Sequence, residues 1–520
     1  MLFTSLKFVA FVIAVLFLYY AVPKKFQWVL LLCANLFFYI QAGIYGLVFI
    51  LVTIATTYIS ALSICKEQEN IKRLFEKYKD ILTKEDKKMY KAKSKRTQKL
   101  YMILCLIVNI GILAVLKYTN FFILNFTNMK PVNFILPMGI SFYTFQSMGY
   151  LIDVYRGTVK AERNPARFAL FISFFPQLVQ GPINRWKELS STLFSYHTFS
   201  WKVIQSGVER VIWGYFKKLV IADRAMIGLA VITSDNVKYS GAYALLGMLL
   251  YAVELYADFT GGIDVTIGIA EMFGIKLAEN FKRPFFSKSI AEYWRRWHIT
   301  LCAWFKDYLF YPISMSKWMN KLSKAVKKKC GNAIGSRLPV YISSIVVWFV
   351  TGLWHGASWN FIVWGLLNCA VMLISQELEP VYEKVENRLH YRRFRYYKVF
   401  EILRTTFIVC SLQMLDYYYN ISDAFRMYIS IFTTANYGYV LKTGMWNIGL
   451  KVQDYAVLIL GVLIIFIVSM LQRKRQIRKS LDSRPFFVRF IIFLLLFLAI
   501  ASFGIYGIGY ESSQFIYNQF

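Results

Sequence analysis

The run VVWFVTGLWHGASWNFIVWGLL, residues 346–367, is mostly apolar and holds one ionisable side chain, His355. About 20 apolar residues are enough to cross the hydrocarbon core of a bilayer as a helix. An imidazole inside such a stretch is costly unless it meets a partner or a wet cavity. Gly352 and Gly356 flank it and leave room for a substrate or for another backbone, with Trp354, Trp359 and Trp364 around it. A buried, satisfied histidine and a catalytic one both fit this spacing.

The rest of the chain has the same character. Of 520 residues, 57% are hydrophobic and 18% aromatic, and the mean hydropathy is +0.44. A soluble fold cannot hide that much apolar surface, so the bilayer is the solvent for much of the molecule. Apolar stretches cover residues 8–22, 26–40, 43–64, 100–124, 134–152, 168–179 and 203–221. Others cover 243–273, 299–313, 340–354, 360–375, 400–415, 455–471 and 487–504. Several are too short for a full crossing, which predicts an all-α polytopic protein with about 10–12 transmembrane helices and short re-entrant or interfacial pieces. The first stretch resembles a signal-peptide core but lacks a small-residue cleavage site, and a second apolar run follows at once, so a retained helix is expected.

A net charge of +32 would ordinarily raise nucleic acid as a partner. Here the basic residues lie in short runs between apolar segments, as the positive-inside rule requires, so no nucleic acid is expected and the lipid bilayer is the partner. The lysine-rich loop 66–99 belongs in the cytoplasm, and counting back three spans puts the N-terminus outside. The basic run 473–484 marks a second inside loop, and the tail 509–520, without Lys or Arg, is expected outside. Three regions follow: N-terminal helices with their cytoplasmic loop (1–135), a core rich in polar motifs (136–376), and C-terminal helices with an extracytoplasmic tail (377–520). The seven cysteines are scattered with no Cys-x-x-Cys pair, which favours neither a disulfide framework nor a zinc site.

Other polar residues interrupt the apolar runs. SIAEYWRRWHITLCAWFKDYLFYPI (289–313) sets His298, Arg295, Arg296 and Lys306 among aromatics; an interfacial helix and a helix that delivers an imidazole to a buried site both fit. ELYADFTGGIDVTIGIAEMFG (254–274) holds Glu254, Asp258, Asp264 and Glu271, and intramembrane carboxylates are expensive and usually functional. Its paired Gly261 and Gly262 predict a break or a tight approach. FFPQLVQGPINRW (174–186), with Pro176, Gln177, Gln180, Gly181 and Pro182, reads as a broken or re-entrant segment. His197 and His390 sit in short polar or basic stretches and are expected to be solvated.

FFPQLVQGPINR, ADFTGGIDVTIGIAEMFG, ENFKRPFFSKSIAEYWRRWHITLCAWFKDYLFYP and GLWHGASWNFIVWG follow one another in the order found in membrane-bound O-acyltransferases. The chain resembles most the bacterial alginate O-acetyltransferase branch, which includes peptidoglycan and other polysaccharide O-acetylation proteins, and does so most strongly over residues 136–376. The resemblance implies a ring of tilted helices around a central tunnel, with His355 as the catalytic histidine and His298 as the second signature residue. It implies a cytoplasmic acyl-thioester donor, acetyl-CoA, with no tightly bound cofactor, and an extracytoplasmic polysaccharide acceptor. A separate extracytoplasmic esterase-like acetyltransferase is the implied partner and the bacterial cytoplasmic membrane the implied location. Gln177, Asp258, Asp264, Arg295, Arg296 and Trp354 are the side chains expected to converge on substrate, the arginines by attracting the donor's phosphates or by anchoring their helix. Residues 320–336 and 377–401 depart from the pattern. The tail GIYGIGYESSQFIYNQF (504–520) is similar to aromatic ends in this branch and in a companion peptide of the D-alanyl system, which implies Tyr517 as an acyl relay; an interfacial aromatic anchor fits equally well.

No Gly-rich phosphate loop, zinc pattern or Gly-x-Ser-x-Gly elbow is present, so metal chemistry is not expected. Two other readings remain: D-alanyl transfer to teichoic acid, and a polysaccharide transporter or flippase, which predicts internal repeats that the sequence does not show.

Overall fold

The computed structural model describes residues 3–178, 180–473 and 477–506. Among them the regular structure is entirely helical. Eight of these helices are long and apolar enough to cross a membrane, and the chain is a multi-pass membrane protein. It divides into two compact units, residues 1–207 with 269–278, and residues 208–268 with 279–520.

In the first unit the spanning helices are Lys24–Ala42, Ile44–Lys77 and Lys84–Phe126. The last is 43 residues long, about 65 Å at 1.5 Å per residue, twice the hydrocarbon thickness. Its first half is lysine-rich and its second half apolar, and the solvated stretch 66–99 is formed by the polar ends of two long helices. Thr83 starts it: its hydroxyl accepts from the Asp86 amide at 3.1 Å while the Asp86 carboxylate accepts from the Thr83 amide at 3.1 Å. Helix Ile140–Arg156, apolar in sequence, is almost wholly buried against neighbouring helices rather than lipid. The stretch 168–179 does not cross at all. It breaks into Pro165–Ser173 and the single turn Phe175–Leu178, and Asn35 accepts from the freed Phe175 amide at 3.0 Å.

In the second unit, helix Ala242–Met272 is the buried centre: 72% of its apolar window is covered, against 6% for Phe486–Phe503 at the lipid-facing edge. The glycine pair does not break it. A Cβ at Gly261 would fall 2.8 Å from the Gly214 carbonyl oxygen and one at Gly214 2.6 Å from that of Gly261, so glycine there permits two helix backbones to touch. Spanning helices Asn332–His355 and Trp359–Glu377 form a hairpin joined by residues 356–358. They close on each other for the same reason, since a Cβ at Gly352 would lie 2.4 Å from the Phe361 oxygen. The stretch 299–313 is one helical run that widens midway: Ile299–Phe305 passes into the π-helical turn Lys306–Phe310 and then Tyr311–Ser314.

Candidate active site

His355 is the last residue of helix Asn332–His355. The chain turns at Gly356, where a Cβ would strike the Phe361 ring at 2.2 Å, and the next helix brings Phe361 and Trp364 back over the imidazole. The ring centroid of Trp364 is 4.6 Å from that of His355, and Phe361 stacks at 6.2 Å. Trp354 lies edge-on at 5.1 Å.

His298 reaches the same tryptophan from another element, its ring centroid 5.8 Å from that of Trp354. The two imidazoles are therefore no further apart than the sum of their distances to that ring. His298 is 1% exposed and has φ +44°, a left-handed conformation that histidine tolerates better than most residues. Two backbone hydrogen bonds pin it: Lys282 N to the Arg296 oxygen at 2.9 Å and Ile299 N to the Asn280 oxygen at 3.0 Å. Asn280 completes the clamp. Its Oδ1 accepts from the Thr300 amide at 3.0 Å and the Thr300 hydroxyl at 2.9 Å, and meets Nδ1 of His298 at 3.2 Å. An oxygen already accepting from an amide meets the imidazole as an acceptor, so Nδ1 carries the hydrogen and Nε2 is the basic nitrogen. Burial, helped by the nearby His355, holds the His298 pKa well below its ordinary value and keeps the ring neutral.

A cavity of about 20 Å³ opens beside His355, walled by Trp294, Trp297, Phe361 and Trp364 and reached by Tyr251, Gln413 and Asp416. The intramembrane carboxylates lie elsewhere. Lys218 donates to Asp258 at 2.5 Å and to Asp223 at 2.9 Å, all three nearly inaccessible. Asp264 accepts from Lys217 at 2.6 Å and from Arg210 at 2.8 Å, and Arg210 forks onto both oxygens of Glu279 at 2.8 and 2.7 Å. These pairs border a second, polar cavity of about 120 Å³ that Arg283 also lines. Arg283 is held below its ordinary pKa by burial and by the charges of Arg296 and Arg473. Arg296 also donates to Glu292 at 2.5 Å, and Arg295 is exposed.

Gln177 belongs to the first unit, where its amide donates to Gln146 at 3.1 Å and to the Phe171 oxygen at 2.9 Å and accepts from Asn184 at 2.9 Å. Tyr517 lies outside the described residues. His197 is not merely solvated: it meets the Tyr19 hydroxyl at 2.9 Å and is half-buried within the first unit. Asn280, Gln413 and Asp416 were not picked out in the sequence. Asp416 sits one residue past the apolar stretch 400–415, and the cost of a carboxylate at a span end was the only signal it carried.

A buried His298 and a half-buried His355 thus lie near one another in a multi-pass membrane protein. Residues 158–326 match the membrane-bound O-acyltransferase family model, a stretch that includes His298 and ends before His355. The chain is 33% identical over 345 residues to the probable alginate O-acetylase AlgI of Azotobacter vinelandii, covering 64% of this chain and 63% of that protein. It is 33% identical over 339 residues to the peptidoglycan O-acetyltransferase of Helicobacter pylori, covering 58% and 60%. To the teichoic acid D-alanyltransferase of Bacillus subtilis it is 29% identical over 249 residues, covering 46% and 59%. The chain thus spans less than two thirds of the length of each of these relatives. Its similarity is to membrane-bound O-acyltransferases, on the alginate O-acetylase side.

Proposed function

We propose that this chain is a membrane O-acetyltransferase that moves an acetyl group from cytoplasmic acetyl-CoA, across the bilayer, towards hydroxyls of an extracytoplasmic polysaccharide. The observation that carries this is the imidazole of His355 in a wall of aromatic rings at the end of a spanning helix, with neutral His298 across Trp354. The donor thioester is already activated, so the protein has to supply a base, positioning and exclusion of water. His355 takes the hydroxyl proton as the oxygen attacks the thioester carbonyl. The C–O bond forms, the C–S bond breaks, and the imidazolium returns the proton to the leaving thiolate. His298, with its hydrogen held on Nδ1, presents a basic Nε2. Arg283 at the second cavity, with Arg296 and Arg473 near enough to act on its charge, suits the phosphates of the donor.

In this reading both termini are extracytoplasmic, and an esterase-like acetyltransferase outside the membrane receives the acetyl group. The test is transfer of radiolabelled acetyl from acetyl-CoA by the purified full chain in nanodiscs. His355→Ala is expected to insert and elute like the parent protein and to lose at least about a hundredfold in rate. A near-normal rate in that variant rejects the mechanism, and transfer only from an aminoacylated carrier protein replaces acetyl with D-alanyl.

A further inference from the structure

The cavity beside His355 contains acceptors that no donor among the described residues meets. Gln413 and Asp416 stand three residues apart on helix Arg395–Tyr417 and so share one face of it. Both reach the cavity. Gln413 is 5% exposed, and its Oε1 is fully buried with no hydrogen-bond partner among the described residues. Oδ2 of Asp416 accepts from the Tyr251 hydroxyl at 3.4 Å, whereas its Oδ1 is buried and unmet. Trp364 lines the same cavity, and its indole nitrogen is a buried donor, also without a partner among the described residues. Buried polar atoms are rarely left in this state, because each forfeits its hydration for nothing.

The size of the space says what meets them. At about 20 Å³ it is too small for a sugar and right for one water molecule, which needs two to four polar partners to be held. Such a water would donate to Oδ1 of Asp416 and Oε1 of Gln413 and accept from the Trp364 indole and from an imidazole N–H of His355. The two acceptors and two donors use all four of its bonding directions. A general base needs this kind of support, since a ring nitrogen takes a proton well only if the other nitrogen keeps its hydrogen and the ring is held in place.

We infer that Asp416 is a positioning residue for His355, acting with Gln413 through one bound water to fix the imidazole's tautomer and orientation for proton abstraction. This rests on His355 being the base.

The test uses the full chain in nanodiscs and the acetyl-transfer assay. Asp416→Leu is expected to lower kcat by about a hundredfold with KM for acetyl-CoA unchanged, and Asp416→Asn, which keeps one acceptor, to recover at least about tenfold of that. Combined with His355→Ala, the Leu substitution is expected to cost nothing further, because a residue that acts only through the imidazole has no role once it is gone. A rate for Asp416→Leu within about threefold of the parent overturns the inference, as does a double variant that loses the full additional factor. Water-resolved cryo-electron microscopy of the parent protein needs no variant to fold: density between Asp416, Gln413 and the His355 ring is expected, and its absence overturns the inference. Should His355→Ala be active, the base assignment fails and this inference with it; should only the Asp416 variants be active, the base assignment stands alone.

Discussion

Asn280 holds His298 through a single oxygen, Oδ1, which lies 3.2 Å from the imidazole Nδ1 while accepting from the amide and hydroxyl of Thr300. The residues are 18 apart in sequence, and the contact keeps a histidine in a left-handed backbone conformation with its basic nitrogen turned away from Asn280. Asn280→Ala removes all three interactions inside a fully buried site. Thermal unfolding in detergent is expected to show a loss of about 1–3 kcal/mol. Acetyl transfer is expected to fall by about a hundredfold, the cost of misplacing a site group by about an ångström. An unchanged rate would show that His298 needs no clamp.

Stability should depend on pH through the same histidine. Burial and the neighbouring His355 depress the folded pKa of His298 below its ordinary 6.5, so between those two values the unfolded chain binds more protons than the folded one. The stability contributed by burying the neutral ring is therefore complete above about pH 6.5 and is lost as pH falls below that value. Unfolding temperatures measured from pH 7.5 down to pH 5 should fall, and more shallowly in His298→Asn. Parallel curves for the two proteins would place the effect elsewhere.

Lys218 shares its ammonium between Asp258 and Asp223 with almost no solvent access. Lys218→Met leaves two buried carboxylates facing each other and is expected to cost about 3–5 kcal/mol, seen as lost expression or early unfolding. The triple change Lys218→Met, Asp258→Leu, Asp223→Leu should recover most of that stability, because well-packed apolar groups replace a buried ionic cluster at little cost. If the triple variant transfers acetyl normally, these carboxylates are structural only.

Gly352→Ala puts a methyl group 2.4 Å from the carbonyl oxygen of Phe361. The hairpin that carries His355 must then spread, and a loss of about 1–3 kcal/mol is expected, typical of overpacking. Because the spread moves Phe361 and Trp364 off the imidazole, kcat should fall more than stability alone explains. The comparison is the rate per folded molecule after size-exclusion chromatography.

Tyr517 is tested without reference to its placement. If its hydroxyl relays the acetyl group, Tyr517→Phe should abolish polymer acetylation in cells while donor turnover by the purified chain persists. Full acetylation in that variant would leave Tyr517 as an aromatic anchor, since phenylalanine keeps the ring.

The all-helical membrane architecture was legible in the sequence because hydropathy over about 20 residues needs no partner to be read: a backbone in lipid must close its own hydrogen bonds. His298 and His355 were legible as candidates for the same reason, an imidazole in an apolar run being expensive. What those residues touch was not. Asn280 and Thr300 meet through a reversal of the chain around a left-handed histidine, and Gln413 and Asp416 reach the His355 cavity from a helix far along the sequence. Gly261 reads equally well as a break or as a close approach until Gly214 is seen against it. Asp258 and Asp264 stand out in the sequence as costly carboxylates, but their partners Lys218, Lys217 and Arg210 do not. Local composition sets the free-energy cost of placing a group in the membrane, whereas its compensation is a contact between distant segments, and only the tertiary structure decides which segments those are.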